Sequence, residues 1–244
     1  MSDSALDHPA VQRMARVAKA LGNLVGEVVF IGGAVAPLLQ PHPPFSRARP
    51  TKDVDATVAT RSYLDVERLN ERLRTAGFRQ DPLVPRHLHR WTTPEGDWLD
   101  LVPAGDPAGG SGQRWDQLAI ETSVQADLEE GVTVRHARAP AFLALKWAAF
   151  QDRGRDDPML SHDLEDLMAL LASRPGIVAE VGAGHREIAQ FVAHAARTLL
   201  SIPELGDLLA GHLNNVQDPA RVTEQVRERL TLLASAQGRP LSGG

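Results

Sequence analysis

The hydrophobic pattern of the chain changes near residue 139, and this change limits the folds that are open to it. Before that point, short β-rich runs alternate with amphipathic helical segments, whereas beyond it apolar residues recur at helical spacing. We therefore predict an α+β protein. A small mixed twisted sheet with flanking helices is expected over residues 1–139, followed by a helical bundle over residues 140–244.

The first half is predicted to open with an amphipathic helix over residues 8–24 and to continue as strand, glycine turn and helix. Glu27–Ile31 is a short apolar strand that stops at Gly32-Gly33. The segment Gln40–Pro50 is expected to be a loop, because its four prolines cannot donate backbone hydrogen bonds. The remaining predicted elements are helices over 34–39, 63–76, 140–151, 161–172, 184–200, 203–213 and 219–236, strands over 52–59 and 132–136, an extended piece over 77–80, and a hairpin of strands 88–93 and 98–102 around a turn at 94–97.

Three aspartates stand in positions where a strand would hold them for chemistry. Asp53 and Asp55 alternate within one strand, so their side chains project from the same face about 6 to 7 Å apart. Asp100 interrupts the apolar run Trp98–Val102, where a lone carboxylate is unfavourable unless it is paired, protonated or metal-bound. If the two strands are neighbours, the three carboxylates form a site for Mg²⁺, with Mn²⁺ as a substitute.

Each of these signals also has a structural interpretation. An Asp-X-Asp pair is common at strand ends and in turns, and Asp100 could be a paired carboxylate of the core. Gly32-Gly33 offers backbone amides near a helix N-terminus, which favours phosphate oxygens, yet a tight turn would also need small residues there. The combination of the three aspartates carries the prediction of a metal site.

Composition excludes several classes of function. The chain has no cysteine, which excludes disulfides, thiolate zinc sites and a thiol nucleophile. Its N-terminus lacks the pattern of a signal peptide, and no apolar run approaches about 20 residues, so we expect a soluble cytoplasmic protein without a membrane partner. The net charge of -5 favours no polyanionic partner, so RNA binding would need a local basic cluster. Two candidate clusters are Arg47, Arg49 and Lys52, and Arg86, His87, His89 and Arg90.

Three segments between residues 28 and 102 resemble the signature elements of the polymerase-β-like nucleotidyltransferase superfamily. They are Phe-Ile-Gly-Gly-Ala-Val, Arg-Pro-Thr-Lys-Asp-Val-Asp-Ala-Thr-Val and Leu-Asp-Leu-Val. The resemblance implies that Asp53, Asp55 and Asp100 are catalytic metal ligands. It also implies that Gly32, Gly33 and Thr51 help to bind a nucleoside triphosphate.

A further stretch, from Ala139 to Leu171, is similar to the helical Lys and Asp motifs of abortive-infection-type (AbiEii-like) toxin nucleotidyltransferases of bacterial toxin–antitoxin systems. By this resemblance Lys146 contacts the triphosphate, and Asp163 is the second catalytic residue of the helical region, with Asp166 as the competing assignment. From the residues alone, the favoured interpretation of Lys146 is a surface lysine paired with a carboxylate, with a phosphate as the other anionic partner.

The expected reaction is transfer of a nucleoside monophosphate from the triphosphate to an acceptor hydroxyl, with release of pyrophosphate. The resemblance implies RNA such as tRNA, or a protein, as acceptor and an antitoxin protein as partner. A small-molecule acceptor and a non-catalytic nucleotide- or metal-binding module are the alternatives. The sequence departs from the family in the longer interval between Gly33 and Asp53, which contains the proline-rich loop, so the choice of base does not carry over.

Overall fold

Six strands organise the first part of the chain. The computed structural model describes residues 5–41, 51–80, 89–104, 113–129 and 131–236. The strands are β1 (Val28–Ile31), β2 (Asp53–Ala59), β3 (Arg90–Thr92), β4 (Trp98–Ala104), β5 (Val124–Glu129) and β6 (Val132–His136). They form one sheet in the order β3-β4-β2-β1-β6-β5. The pairs β2/β4 and β1/β6 are parallel and the others antiparallel, so the sheet is mixed.

Within the described residues, four α-helices accompany the sheet: α1 (Pro9–Leu21), α2 (Ala36–Leu39), α3 (Tyr63–Thr75) and α4 (Gln113–Glu121). Helix α1 begins at Pro9 because proline suits the first helical position, and the imidazole of His8 accepts the backbone N–H of Ala10. Its buried stripe includes Val11 and Met14. A 3-10 turn follows α1 over Gly22–Gly26, which shortens the predicted helix by three residues.

The regular elements described beyond residue 138 are all helical. They are α5 (Ala139–Arg153), α6 (His162–Ser173), α7 (Ile177–Ala183), α8 (Arg186–Leu200), α9 (Leu205–His212) and α10 (Pro219–Leu233), with a short 3-10 turn at Pro158–Leu160. Helix α5 is apolar on nearly every side and packs with α6 and α8, which makes it the central element of this part.

The chain falls into two compact units. One lies within residues 1–38 and 49–138, and the other within residues 39–48 and 139–244. One break therefore falls between Arg138 and Ala139. Independent folding of the predicted domains 1–139 and 140–244 stays a prediction.

The predicted α+β class, with a small mixed sheet followed by helices, is confirmed. Among the described strands and α-helices, α4, β5 and α7 were not predicted. Strand β5 pairs with β6 and is mostly solvent-exposed, so it lacks the apolar run that marks a buried strand. The predicted extended piece over 77–80 forms only an isolated bridge between Arg79 and Thr92.

Helix α4 contains a buried carboxyl group. Asp116 is only 7% exposed, on a helix that packs against β1, β2 and β4. Burial raises the pKa of Asp116 to about 6. The folded state therefore binds more protons than the unfolded state between about pH 4 and pH 6, so this group lowers stability as the pH rises through that window.

We predict that Asp116→Asn is more stable than the wild type at pH 7.5, by about 2 kcal/mol, because the amide avoids burying a charge. At pH 4 the gain should shrink, since the wild-type carboxyl group is then protonated in the folded state and about half protonated in the unfolded state. Urea unfolding at the two pH values measures the difference, with the exposed Asp152→Asn as control. A gain that is equal at both pH values would contradict a buried ionising group.

Candidate metal and nucleotide site

Parallel pairing of β2 with β4 places the three predicted carboxylates on one face of the sheet. In the register of the two strands, Asp55 lies opposite Asp100 and Asp53 lies opposite Trp98. Residues opposite one another in register share a face of the sheet, and Asp53 shares that face with Asp55. On the other face, Val54 and Leu99 are fully buried. Burial of the apolar face therefore fixes the orientation of the two strands. The aspartates lie half-buried on the opposite face.

The predicted glycine turn lies directly against one of these carboxylates. Gly32 follows β1 with a φ of +67°, a conformation that side-chain-bearing residues rarely adopt. A Cβ atom at this position would lie 2.0 Å from an Oδ atom of Asp55. Glycine is thus needed both for the backbone conformation and for the close approach of the carboxylate.

The turn after Gly32 offers less to a phosphate than a long helix would. Gly33–Val35 form a 3-10 turn, and α2 adds only the residues Ala36–Leu39. Such a short helix has a small dipole. Phosphate binding by the backbone amides of Gly32 and Gly33 stays a prediction, whereas contact between Gly32 and Asp55 is a feature of the structure.

Asp53 is oriented by Thr51, which lies two residues before it in the chain. The Thr51 hydroxyl donates to Oδ1 of Asp53 at 2.7 Å, and the Thr51 carbonyl accepts a hydrogen bond from the Arg13 guanidinium. Thr51 itself is buried. The structure therefore gives Thr51 the role of positioning Asp53, and its predicted contact with a nucleotide stays a prediction.

Arg90 joins two of the three carboxylates. Its Nε donates to Oδ1 of Asp100 at 2.7 Å and its Nη2 to Oδ2 of Asp100 at 2.6 Å, and the same Nη2 donates to Oδ2 of Asp53 at 2.9 Å. The guanidinium carbon also lies 4.8 Å from the centre of the Trp98 ring. The hydrogen bonds to Asp100 raise the pKa of Arg90, so the guanidinium stays charged. The repulsion between Asp53 and Asp100 is thereby offset within the protein.

The turn between β3 and β4 sets the position of Arg90. Thr93 accepts the backbone N–H groups of Gly96 and Asp97, and Gly96 has a φ of +93°. Arg16 holds Asp97 through two hydrogen bonds of 2.7 and 2.9 Å. This turn puts Arg90 opposite Asp100 in the antiparallel register. From the sequence alone, Arg90 belongs only to a candidate basic cluster.

The donor set of this face fits a hard divalent cation, but the cation would compete with Arg90. Magnesium prefers oxygen ligands and is usually bound by one or two carboxylates together with substrate phosphates. Among the described residues, no three His, Asp or Glu side chains converge into a ready metal site. We attribute the lack of convergence of Asp53, Asp55 and Asp100 to Arg90, because oxygens of Asp53 and Asp100 point toward its guanidinium. Once released, the carboxylates of Asp53, Asp55 and Asp100 could hold the metal.

A second charged cluster lies in the helical unit. The Lys146 ammonium on α5 lies 3.1 Å from Oδ1 of Asp163 and 2.6 Å from Oδ2 of Asp166, both on α6. Arg153 donates a further pair of hydrogen bonds to Asp163, at 3.0 and 3.2 Å. Asp163 and Asp166, the two alternative assignments for the second catalytic residue of the helical region, thus both bind Lys146.

Burial decides how these charges behave. Lys146, Asp163 and Asp166 are each less than 10% exposed. Burial alone would lower the pKa of Lys146, but the two carboxylates outweigh it and raise that pKa. For Asp163, burial acts to raise the pKa, while Lys146 and Arg153 lower it on balance. The cluster therefore joins α5 to α6 as a charged network, and contact of Lys146 with a triphosphate stays a prediction.

The two basic clusters are only partly described. Lys52 is exposed and His89 is half-buried. Arg47, Arg49, Arg86 and His87 lie outside the described residues. Within the described residues, no helix has both the length and the apolar character needed to cross a membrane.

Comparison with known proteins gives similarities to solved structures alone. No protein-family model and no curated protein matches the chain. Similar solved structures include an antigenic nucleotidyltransferase-like protein from Paracoccidioides brasiliensis, at 17% identity and a TM-score of 0.47 over 92% of this chain and 94% of that one. They also include JHP933 from Helicobacter pylori, at 15% identity and a TM-score of 0.45 over 96% and 93% of the two chains. At these values neither similarity carries an argument about activity.

We predict that Gly32→Ala destabilises the protein by at least about 2 kcal/mol, because it adds a clash with Asp55 to the cost of a positive φ. Gly22→Ala is the matched control, since Gly22 has a φ of +54° and nothing within 4 Å of the added Cβ. The control should lose only about 1 kcal/mol in urea unfolding. Equal losses in the two variants would show that the Asp55 carboxylate does not lie against Gly32.

For the helical cluster, we predict that Lys146→Met lowers the free energy of unfolding by about 3 kcal/mol, because it leaves two buried carboxylates without their shared cation. The loss should be greatest at neutral pH. Wild-type stability from Asp163 is present above the ordinary Asp pKa and is lost as the pH falls through its lowered folded pKa.

Lys19→Met is the control for this variant, since Lys19 pairs with Glu129 at 2.8 Å on the surface. The control should lose less than about 1 kcal/mol. Adding Asp166→Asn to Lys146→Met should recover part of the loss. A small loss in Lys146→Met that does not depend on pH would contradict the charged network.

Proposed function

We propose that this protein is a magnesium-dependent nucleotidyltransferase whose metal ligands are Asp53, Asp55 and Asp100. The observation that carries the proposal is the parallel register of β2 and β4, which places Asp55 opposite Asp100 on the face shared with Asp53. A like-charged group of this kind on a sheet is costly, and a hard cation is the usual reason to keep one. The contact of Gly32 with Asp55 supports the proposal, because it couples the glycine turn to the same carboxylates.

In the proposed reaction, the acceptor hydroxyl oxygen bonds to the α-phosphorus of a nucleoside triphosphate. The bond from that phosphorus to the bridging oxygen of the β-phosphate breaks, and pyrophosphate leaves. Asp100 accepts the proton of the hydroxyl group. Asp53, oriented by Thr51, and Asp55, positioned by Gly32, hold the metal. When bound, the metal supplies charge neutralisation at the phosphates.

The acceptor that we propose is a hydroxyl group of RNA, such as a tRNA, or of a protein. The support is the similarity of residues 139–171 to the helical motifs of the toxin nucleotidyltransferases. The same similarity suggests a role as the toxin of a toxin–antitoxin pair, with an antitoxin protein as partner. The helical cluster of Lys146 and Asp163 belongs to that region, and calorimetry with Lys146→Met would test its predicted contact with the triphosphate.

A transfer assay tests the proposed activity. The protein is incubated with Mg²⁺ and each α-labelled nucleoside triphosphate, together with total tRNA, a protein extract or an aminoglycoside. Label in RNA or protein would support the proposed acceptor, and label in the aminoglycoside would favour the small-molecule alternative. Absence of label with every triphosphate and every acceptor would contradict catalysis.

We predict that Asp53→Asn and Asp55→Asn each lower transfer at least about 100-fold, because an amide is a poor ligand for a hard cation. Asp100→Asn should still bind the metal–triphosphate complex in calorimetry yet lose transfer, since its amide cannot accept the acceptor proton. Asp127→Asn on the edge strand β5 is the control, and its transfer rate should stay near that of the wild type. Wild-type turnover by Asp53→Asn or Asp55→Asn would refute the metal assignment.

A further inference from the structure

The Arg90 guanidinium occupies the carboxylate oxygens that a metal would need. Both oxygens of Asp100 accept hydrogen bonds from Arg90, and Oδ2 of Asp53 accepts a third. A guanidinium and a hard dication bind the same lone pairs of a carboxylate, and two cations bound to the same carboxylates repel each other. The two therefore cannot both bind Asp53 and Asp100 fully.

Arg90 has a second contact, which does not depend on the carboxylates. Its guanidinium lies over the ring of Trp98, an aromatic residue that is 41% exposed and stands opposite Asp53 in the sheet. Stacking on an indole is worth little against a carboxylate pair, but it gives the arginine a position when that pair is lost. Arg90 is itself only partly buried, with 25% of its side chain exposed. The guanidinium therefore has room to turn toward a ligand in solvent.

We propose that Arg90 exchanges partners during substrate binding. It bonds to Asp53 and Asp100 while no divalent cation is present, and it binds phosphate oxygens of the nucleoside triphosphate once the cation holds those carboxylates. This inference rests on the proposed function. Its chemical basis is that the fork of an arginine fits a phosphate as well as a carboxylate, so one side chain can serve both.

The exchange keeps the charges of the site compensated in both states. Without the cation, Arg90 offsets part of the repulsion among three aspartates. With the cation and the triphosphate bound, the arginine faces the added negative charge of the phosphates. Arg90 is therefore a positioning residue for the carboxylates in one state and a substrate-binding residue in the other.

The proposal predicts changes of opposite sign on Arg90→Gln. Without its competitor, Mn²⁺ should bind the protein about tenfold more tightly in the absence of nucleotide, given the discount for a partly exposed pair. The Mg²⁺ complexes of ATP, CTP, GTP and UTP, tested one at a time, should include one that binds the wild type. That complex should bind Arg90→Gln about tenfold more weakly, for want of a phosphate contact. Titration calorimetry measures both affinities.

Two further variants make the test specific. Arg72→Gln is the matched control, because Arg72 also forms a fork with a carboxylate, at 2.8 and 2.5 Å from the oxygens of Glu27, on the surface of the same unit. It should leave both affinities unchanged. Arg90→Lys retains the charge but not the fork, and it should give intermediate values for both.

The outcomes separate this inference from the proposed function. If Mn²⁺ binds the wild type and is lost in Asp53→Asn, but Arg90→Gln leaves the Mn²⁺ affinity unchanged or lowers it, the exchange is refuted while the metal site stands. An unchanged triphosphate affinity in Arg90→Gln refutes the substrate-binding half. If neither the wild type nor Arg90→Gln binds Mn²⁺ or any metal–triphosphate complex, both the exchange and the proposed function are overturned.

Discussion

The parallel pairing of β2 with β4 is the constraint on which the candidate site depends. It places Asp55 beside Asp100, and it does so because the opposite face of both strands is apolar and fully packed. Slipping β2 by one residue against β4 would bury Asp53 and Asp55 and expose Val54. The burial of one face thus determines which side chains meet on the other.

Residues of neighbouring elements accommodate the negative charge that this pairing places on one face of the sheet. Arg90 offsets the repulsion between Asp53 and Asp100, while Gly32 leaves space for the carboxylate of Asp55. In the helical unit, the charges of two buried aspartates are offset in the same way, because both carboxylates contact Lys146. In both places a cation is positioned between carboxylates that would otherwise destabilise the fold.

Much of the candidate site could be predicted from local patterns, but Arg90 could not. Alternation within one strand was enough to put Asp53 and Asp55 on one face, and an acid inside an apolar run marked Asp100. The position of Arg90 depends on the length of the turn after β3. A four-residue turn over Pro94–Asp97, as predicted, would pair Trp91 with Asp100, whereas the observed register pairs Arg90 with it. The observed turn is stabilised by the hydrogen bonds of Thr93 with Gly96 and Asp97, and by Arg16, which lies far away in the sequence and holds Asp97.

Strand β5 and helix α7 were missed for another reason. The strand is exposed and the helix is short, so each has too few buried residues to show a hydrophobic period. The central claim, a metal held by Asp53, Asp55 and Asp100, is tested most directly by anomalous diffraction from crystals grown with Mn²⁺ and a non-hydrolysable nucleoside triphosphate. The account predicts an anomalous peak about 2 Å from oxygens of these carboxylates, with Arg90 turned away from Asp100. Crystals that contain the nucleotide but show no peak there, with Arg90 still bound to Asp100, would contradict it.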